Sequence, residues 1–101
     1  MRVSGIEELY AIVRKIPRGR CSSYSELGAA LTRPVSGVIV GGWMSRAPDG
    51  VPWWRVVGRN GELKTVKVHP GLSNEQRDRL EAEGVTFEGD LVEMSKFGWS
   101  P

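Results

Sequence analysis

The sequence predicts a mainly α fold with one small β-hairpin, a winged helix-turn-helix-like arrangement, and three observations carry that prediction. Ser4 with Glu7, and Ser23 with Glu26, have the spacing at which a serine hydroxyl and a glutamate carboxylate satisfy the free N–H groups of a helix start. Apolar residues recur behind both serines at helical intervals, and the second of these segments is joined to a third by a tight link. Gly58-Arg59-Asn60-Gly61 follows a short apolar stretch and is a strong reverse-turn signal.

The first helix opens at Ser4 and sets Ile6, Leu9, Tyr10, Val13 and Ile16 along one face, until Pro17-Arg18-Gly19-Arg20 breaks it. The second opens at Ser23, carries Leu27, Ala30 and Leu31 inward, and stops at Thr32-Arg33-Pro34. Ser36 caps a third helix running to about Ser45, although Gly37, Gly41 and Gly42 among Val38, Ile39 and Val40 give it poor intrinsic propensity. Glycines there permit a close approach, to a neighbouring helix or to a DNA backbone, and the sequence leaves both uses open. Ala47-Pro48-Asp49-Gly50 reads as a loop and Trp53 to Val57 as a short strand, with the Gly58–Gly61 turn completing a hairpin, or wing, through Glu62-Leu63. Ser73 with Gln76 is a further capping pair, for a charged helix over 74–83 that Gly84 ends from the C′ position.

At 101 residues the chain is sized for one domain with one core, expected over about 4–87, with a looser tail over 88–101. An apolar content of 40% and four tryptophans argue for a packed globule rather than a disordered chain. The net charge of +2 conceals an asymmetry: residues 1–72 hold eleven Lys and Arg against five Asp and Glu, net +6, and residues 73–101 hold three against seven, net −4. The first part is suited to approach a polyanion and the second is repelled by it. Cys21 is the only cysteine and His69 the only histidine, so no intrachain disulfide, metal or other cofactor is expected. No apolar run approaches the ~18 residues of a membrane span, and no signal-peptide core follows Met1-Arg2-Val3. These features fit a cytoplasmic, chromosome-associated monomer.

A helix-turn-helix presents its second helix to a DNA groove while Lys and Arg contact phosphates. Here Val35 to Trp43 offers Ser36 as its one aliphatic polar side chain, so hydrogen-bonded reading of base edges is not expected, and binding to shape, backbone or damage is. Ser36, Arg33, Arg46, Arg59, Lys64 and Lys67 are the candidates for backbone contact. Cys21 is expected to be a buried, inert thiol.

Five motifs fall in order along the chain: Ile16-Pro17-Arg18-Gly19, Ser23-Tyr24-Ser25-Glu26-Leu27, Val40-Gly41-Gly42, Pro52-Trp53-Trp54-Arg55-Val56-Val57 and Glu83-Gly84. Together they resemble the DNA-binding domain of the O6-alkylguanine-DNA alkyltransferases, over roughly residues 4–87. In that family a Pro-Cys-His-Arg-Val core supplies a cysteine that accepts the alkyl group from a guanine flipped out of the duplex. Trp53 stands at the cysteine position and Trp54 at the histidine position. An indole is no thiolate nucleophile, so alkyl transfer by that route is chemically excluded. The chain is therefore similar to the alkyltransferase-like branch, which implies binding and flipping of alkylated guanine in double-stranded DNA without transfer, and marking of the lesion for nucleotide excision repair proteins.

The resemblance also implies roles for single residues. Tyr24 aligns with a tyrosine that presses on the phosphate 3′ to the flipped nucleotide, a core aromatic being its other reading. Trp53 would line the lesion pocket, and Val66 falls near the position of the family's pocket-wall tyrosine. Trp54 reads as core, because strand alternation sends neighbouring side chains to opposite faces. Arg55 and Glu83 would brace the site, as an ion pair, with Glu83 deprived of the histidine it supports elsewhere in the family. Val38 occupies the position of an intercalating arginine and is the base-flip wedge; Ala47 replaces a hinge asparagine. The alternative is a DNA-binding regulator or architectural module of the same fold that no longer flips bases, and Val38 is the residue that favours it. An enzyme built on Cys21 has no His or Lys in obvious partnership with the thiol.

Overall fold

The computed structural model describes residues 4–67 and 69–101. Its first helix, α1 (Gly5–Val13), is capped as expected, with Ser4 Oγ accepting the Glu7 N–H at 3.2 Å. Leu9 and Val13 are buried; Ile16, expected on the same helix, is equally buried but lies in the turn that follows. A short strand, β1 (Ser22–Ser23), leads directly into α2 (Tyr24–Ala29), where Ser23 Oγ accepts the Glu26 N–H at 3.2 Å. Leu27 and Leu31 point into the core, whereas Ala30, expected beside them, is exposed at the helix end.

Helix α3 (Gly37–Met44) is capped by Ser36, whose hydroxyl accepts the Ile39 N–H at 3.3 Å. α2 and α3 form the helix-turn-helix. Gly28 permits their tight link: Val35 N–H donates to its carbonyl at 3.1 Å, and a Cβ on Gly28 would collide with the Val35 carbonyl oxygen. Val40 and Met44 anchor α3 in the core, and Trp43 lies against Gly5 of α1 while its carbonyl accepts the Tyr10 hydroxyl at 2.6 Å.

The strand expected over Trp53–Val57 is only partly one. Trp53–Arg55 forms a single 3₁₀ turn closed by Arg55 N–H to Pro52 carbonyl at 3.1 Å, and the strand proper, β2, is Val56–Val57. Tertiary bonds override the strand preference: Trp54 and Arg55 both reach Glu83, which the alternation of a strand would forbid. β2 pairs in parallel with β1, Ser22 opposite Val56 and Ser23 opposite Val57. The Gly58–Gly61 turn is present, with Gly58 N–H bonded to the Glu62 carbonyl at 2.8 Å and Gly61 at φ +92°. Glu62, however, bridges to Leu91 instead of continuing a hairpin with β2. The small antiparallel hairpin of the fold is β3 (Phe87–Glu88) with β4 (Leu91–Val92), turned at Gly89, and it begins at the last expected core residue and runs into the segment expected to be tail.

The charged helix, α4 (Pro70–Ala82), starts a turn earlier than Ser73: His69 is the cap, its Nδ1 accepting the Gly71 N–H at 3.0 Å, and Pro70 fits the first turn because a missing N–H there loses no helical bond. Gln76 is not a capping partner but a buried tie, considered below. The C-terminal end is as expected. Gly84, at φ +93°, allows Gly84 N–H to bond Glu81 and Val85 N–H to bond Leu80, both at 3.0 Å.

The last residues are strapped to the body. After α5 (Met94–Phe97), Cys21 N–H donates to the Phe97 carbonyl at 2.8 Å and Trp99 N–H to the Cys21 carbonyl at 2.7 Å, so Gly98 runs parallel to the strand edge opposite β2. Trp99 packs against one apolar cluster, made of Leu9, Val13, Ile16, Leu27, Leu31, Val40, Met44, Val51 and Val56. A second cluster gathers Cys21, Val57, Leu80, Val85 and Val92. Alternation along β2 sends Val56 to the first and Val57 to the second. Among the described residues no helix is long and apolar enough to cross a membrane, and no group of three or more His, Cys, Asp or Glu could hold a metal ion.

Candidate nucleic-acid interface

A cavity of about 860 Å³ opens between α3, the start of α2 and the segment that follows β2. That volume lies within the range of about 300–1,000 Å³ typical of small-molecule sites. One wall is the face of α3 that carries Val38, Gly41 and Met44. Tyr24, the first residue of α2, and Trp53, in the 3₁₀ turn, supply aromatic surface, and Ala47 and Leu72 add aliphatic surface. Arg59, Lys64 and Thr65 complete the far side. Among the described residues two cations and no carboxylate line the cavity, which favours a ligand attached to phosphates.

The sequence-predicted residues divide into four groups, the last being the Arg55–Glu83 pair. Tyr24, Val38, Trp53, Arg59 and Lys64 come together around the cavity. Tyr24 is half-buried, and burial pushes its phenol pKa up, so the hydroxyl stays protonated near neutral pH and available as a donor. Trp53 stands edge-on to Trp54, ring centroids 6.0 Å apart and planes at 89°. Val38 is 85% exposed at the mouth, with Ile39 beside it at 44%. Ser36, Arg33 and Arg46 are exposed around the ends of α3 and do not line the cavity; Ser36 uses its hydroxyl as the cap. The side chains of Val66 and Lys67 lie outside the described residues.

Arg55 and Glu83 form the expected ion pair, at 2.7 Å, away from the cavity. The expectation that Glu83 has lost its partner is overturned: Trp54 Nε1–H donates to Glu83 at 2.9 Å, from the position that resembles the family's histidine. Gly19 N–H donates to the same carboxylate at 2.9 Å, and Arg55 also reaches the Ile16 carbonyl at 3.0 Å. Burial alone would raise the Glu83 pKa, but the bonds from Arg55, Gly19 and Trp54 and the charge of Arg55 outweigh it and hold the carboxyl at about 2. Trp54 thus joins the brace as well as the second apolar cluster, and the guanidinium of Arg79 lies 4.6 Å from its ring centre. Cys21 is fully buried, and burial, with the nearby Glu83 charge adding and Arg55 opposing, pushes its thiol up to about 12. It carries no thiolate near neutral pH.

Met44, Ser45 and Thr65 are site residues that the sequence reasoning missed. Met44 and Ser45 follow Val38 and Gly41 at helical spacing, so the signal for them was present once one residue of that face was chosen. Thr65 is held by Gln76, which accepts its hydroxyl at 2.7 Å and donates to the carbonyls of Trp54 and Val56 at 3.1 and 2.9 Å. The glycines of α3 differ in use: a Cβ at Gly37 would lie 3.2 Å from the Ser25 nitrogen, so this one permits the close approach of α2. A Cβ at Gly41 or Gly42 would meet nothing within 4 Å, so no neighbouring helix requires them.

Fold and site together define a helix-turn-helix protein with a ligand-sized cavity set behind its second helix. Residues 6–85 match the 6-O-methylguanine DNA methyltransferase DNA-binding domain, and the chain belongs to that family. It is 32% identical over 97 residues to a DNA base-flipping protein of Escherichia coli, covering 93% of this chain and 73% of the relative. A DNA base-flipping protein of Vibrio parahaemolyticus is 28% identical over 97 residues, covering 93% and 94%. Among solved structures, Schizosaccharomyces pombe Atl1 in complex with damaged DNA containing O6-carboxymethylguanine superposes with a TM-score of 0.83 at 28% identity, over 100% of both chains.

Proposed function

We propose that the protein is a non-enzymatic sensor of alkylated DNA: it binds a duplex containing O6-alkylguanine, turns the lesion out into the cavity without alkyl transfer, and marks it for nucleotide excision repair. The observation that carries this reading is Trp53 in the wall of a cavity large enough to admit a base, in the place where the resemblance puts a reactive cysteine. Trp53, Met44 and Ala47 offer aromatic and aliphatic surface to a flipped guanine and its alkyl group. Tyr24 presses on the backbone at the flip, and Arg59 and Lys64 at the cavity, with Arg33 and Arg46 flanking α3, contact phosphates. Each helix-interior glycine is about 1 kcal/mol less favourable than alanine, and Gly41 and Gly42 serve nothing inside the protein; a bare helix face lets DNA approach closely.

None of three candidate acceptors is suited to take up an alkyl group. The Trp53 indole is not nucleophilic at neutral pH, the Trp54 N–H is held by Glu83, and the Cys21 thiol is buried and protonated. In this reading the protein works as a monomer alongside its DNA in the cytoplasm.

The test is equilibrium binding, by fluorescence anisotropy at fixed salt, to matched duplexes with and without one O6-methylguanine. At least tenfold tighter binding to the lesion, about 1.4 kcal/mol, lost in both Trp53→Ala and Tyr24→Ala, is the expected result. Equal affinity for the two duplexes would instead establish a DNA-binding module that no longer flips bases, the reading that the short apolar Val38 favours.

A further inference from the structure

α3 holds almost nothing with which to read a base. From Gly37 to Met44 its one side-chain hydrogen-bonding group is the indole N–H of Trp43, and that ring is packed against Gly5 and the first apolar cluster. The helix offers outward an apolar tip, Val38 and Ile39, followed by the bare Gly41 and Gly42. Val38 lies at the cavity mouth, whereas Arg33 precedes the helix, Arg46 follows it, and neither lines the cavity.

Turning a nucleotide out leaves a gap that faces the partner base. Val38 can fill that gap only by contact, with no donor or acceptor toward the base edge. From this geometry we infer that the protein does not read the base opposite the extruded lesion, and that Val38 contributes the same stabilisation whichever base stands there. The inference rests on the lesion-flipping reading above. Contact with an apolar side chain is nearly blind to base identity because every base presents a flat face, whereas a hydrogen-bonded reader gains about 1–3 kcal/mol for its preferred base, roughly five- to 150-fold. A lesion that replication has already paired with thymine is then bound through the same wedge contact as one still opposite cytosine.

The experiment measures Kd at fixed salt for O6-methylguanine opposite cytosine, thymine and adenine, with the wild type and Val38→Ala. The work of breaking a given pair is common to both proteins on one duplex, so the ratio of the two Kd values isolates the wedge. The expected ratio favours the wild type several-fold and is constant within twofold across the three duplexes. A ratio that changes fivefold or more with the opposite base overturns the inference, as does a ratio near one throughout, which removes Val38 from the flip. Arg33→Ala and Arg46→Ala are measured on the same duplexes; either one giving a base-dependent ratio overturns it too, by assigning the reading to that arginine. Val38→Arg, which introduces donors at the tip, is expected to create the dependence and shows that the assay detects it. If no duplex with a lesion is preferred over its undamaged counterpart, the flipping reading itself has failed, an outcome distinct from lesion preference with base discrimination.

Discussion

Replacing Glu83 with alanine should destabilise the protein by about 3 kcal/mol. The carboxylate, 5% exposed, accepts hydrogen bonds from Arg55 Nε and Nη2, Trp54 Nε1 and Gly19 N–H. Its removal strands the Arg55 guanidinium, itself 15% exposed, and loss of one partner from a buried pair costs about 3–5 kcal/mol. Linkage gives a comparable figure. The Glu83 pKa is held at about 2 against an ordinary 4.5, and at about 1.36 kcal/mol per pH unit the ionised group favours the folded state by about 3 kcal/mol. Because the folded value lies below the unfolded one, this contribution is complete above pH 4.5 and is lost as pH falls toward 2, about 2 kcal/mol of it by pH 3. Urea unfolding followed by tryptophan fluorescence at pH 7, 4.5 and 3, on the wild type, Glu83→Gln and Glu83→Ala, measures both effects. A cost under about 1 kcal/mol for the alanine variant at pH 7, or an acid dependence in Glu83→Gln as steep as in the wild type, would refute the brace.

Other consequences follow from single contacts. Gly28→Ala, which drives a methyl into the Val35 carbonyl, should lose about 2 kcal/mol or more of stability in the same urea assay. Gly42→Ala should gain up to about 1 kcal/mol, since open space surrounds the new methyl, and yet weaken duplex binding several-fold; a stabilised variant with unchanged affinity would remove the bare face from the interface. Cys21 should resist a thiol reagent at pH 8 in the folded protein and react fully in urea, and modification of the native protein at the rate of free cysteine would contradict its burial. Trp53→Cys alone should take up no methyl group from O6-methylguanine DNA by mass spectrometry, because Trp54 cannot act as a base, whereas Trp53→Cys with Trp54→His should show transfer.

The helix starts at Ser4, Ser23 and Ser36 were legible because a cap is a local device, settled by one side chain and an N–H three residues on. The start of α4 was not, because His69 is a rare cap, and the familiar Ser73–Gln76 spacing hid a glutamine whose side chain bonds to Thr65, Trp54 and Val56, distant in sequence. The same locality explains the wing. The Gly58–Gly61 turn is written in its glycines, but which strands pair depends on Glu62 meeting Leu91, and nothing in Phe87 to Val92 announces that encounter. Within the site, Tyr24, Trp53 and Val38 were legible through resemblance to a family, whereas the Trp54–Glu83 bond required coordinates because it joins a residue change to a partner 29 positions away.

That bond shows how the brace around Glu83 is completed without a histidine. Histidine and tryptophan differ in basicity, but both carry a ring N–H, and at position 54 only the N–H is needed to hold Glu83. Glu83 in turn ties α4 to the turn after α1 through Gly19 and to the 3₁₀ turn through Arg55 and Trp54, so it fixes the backbone from which Trp53 enters the cavity. A site that only binds depends on such preorganisation, since any freedom left in its walls is subtracted from affinity. Glu83→Gln, which keeps an acceptor for Trp54 but removes the charge, should therefore lower lesion preference less than Glu83→Ala, while binding of both to undamaged duplex, which the proposed function assigns to Arg33, Arg46, Arg59 and Lys64 outside the brace, should stay within about twofold of the wild type. Equal loss on damaged and undamaged DNA in the alanine variant would mean that the brace holds up the whole fold and has no particular hold on Trp53.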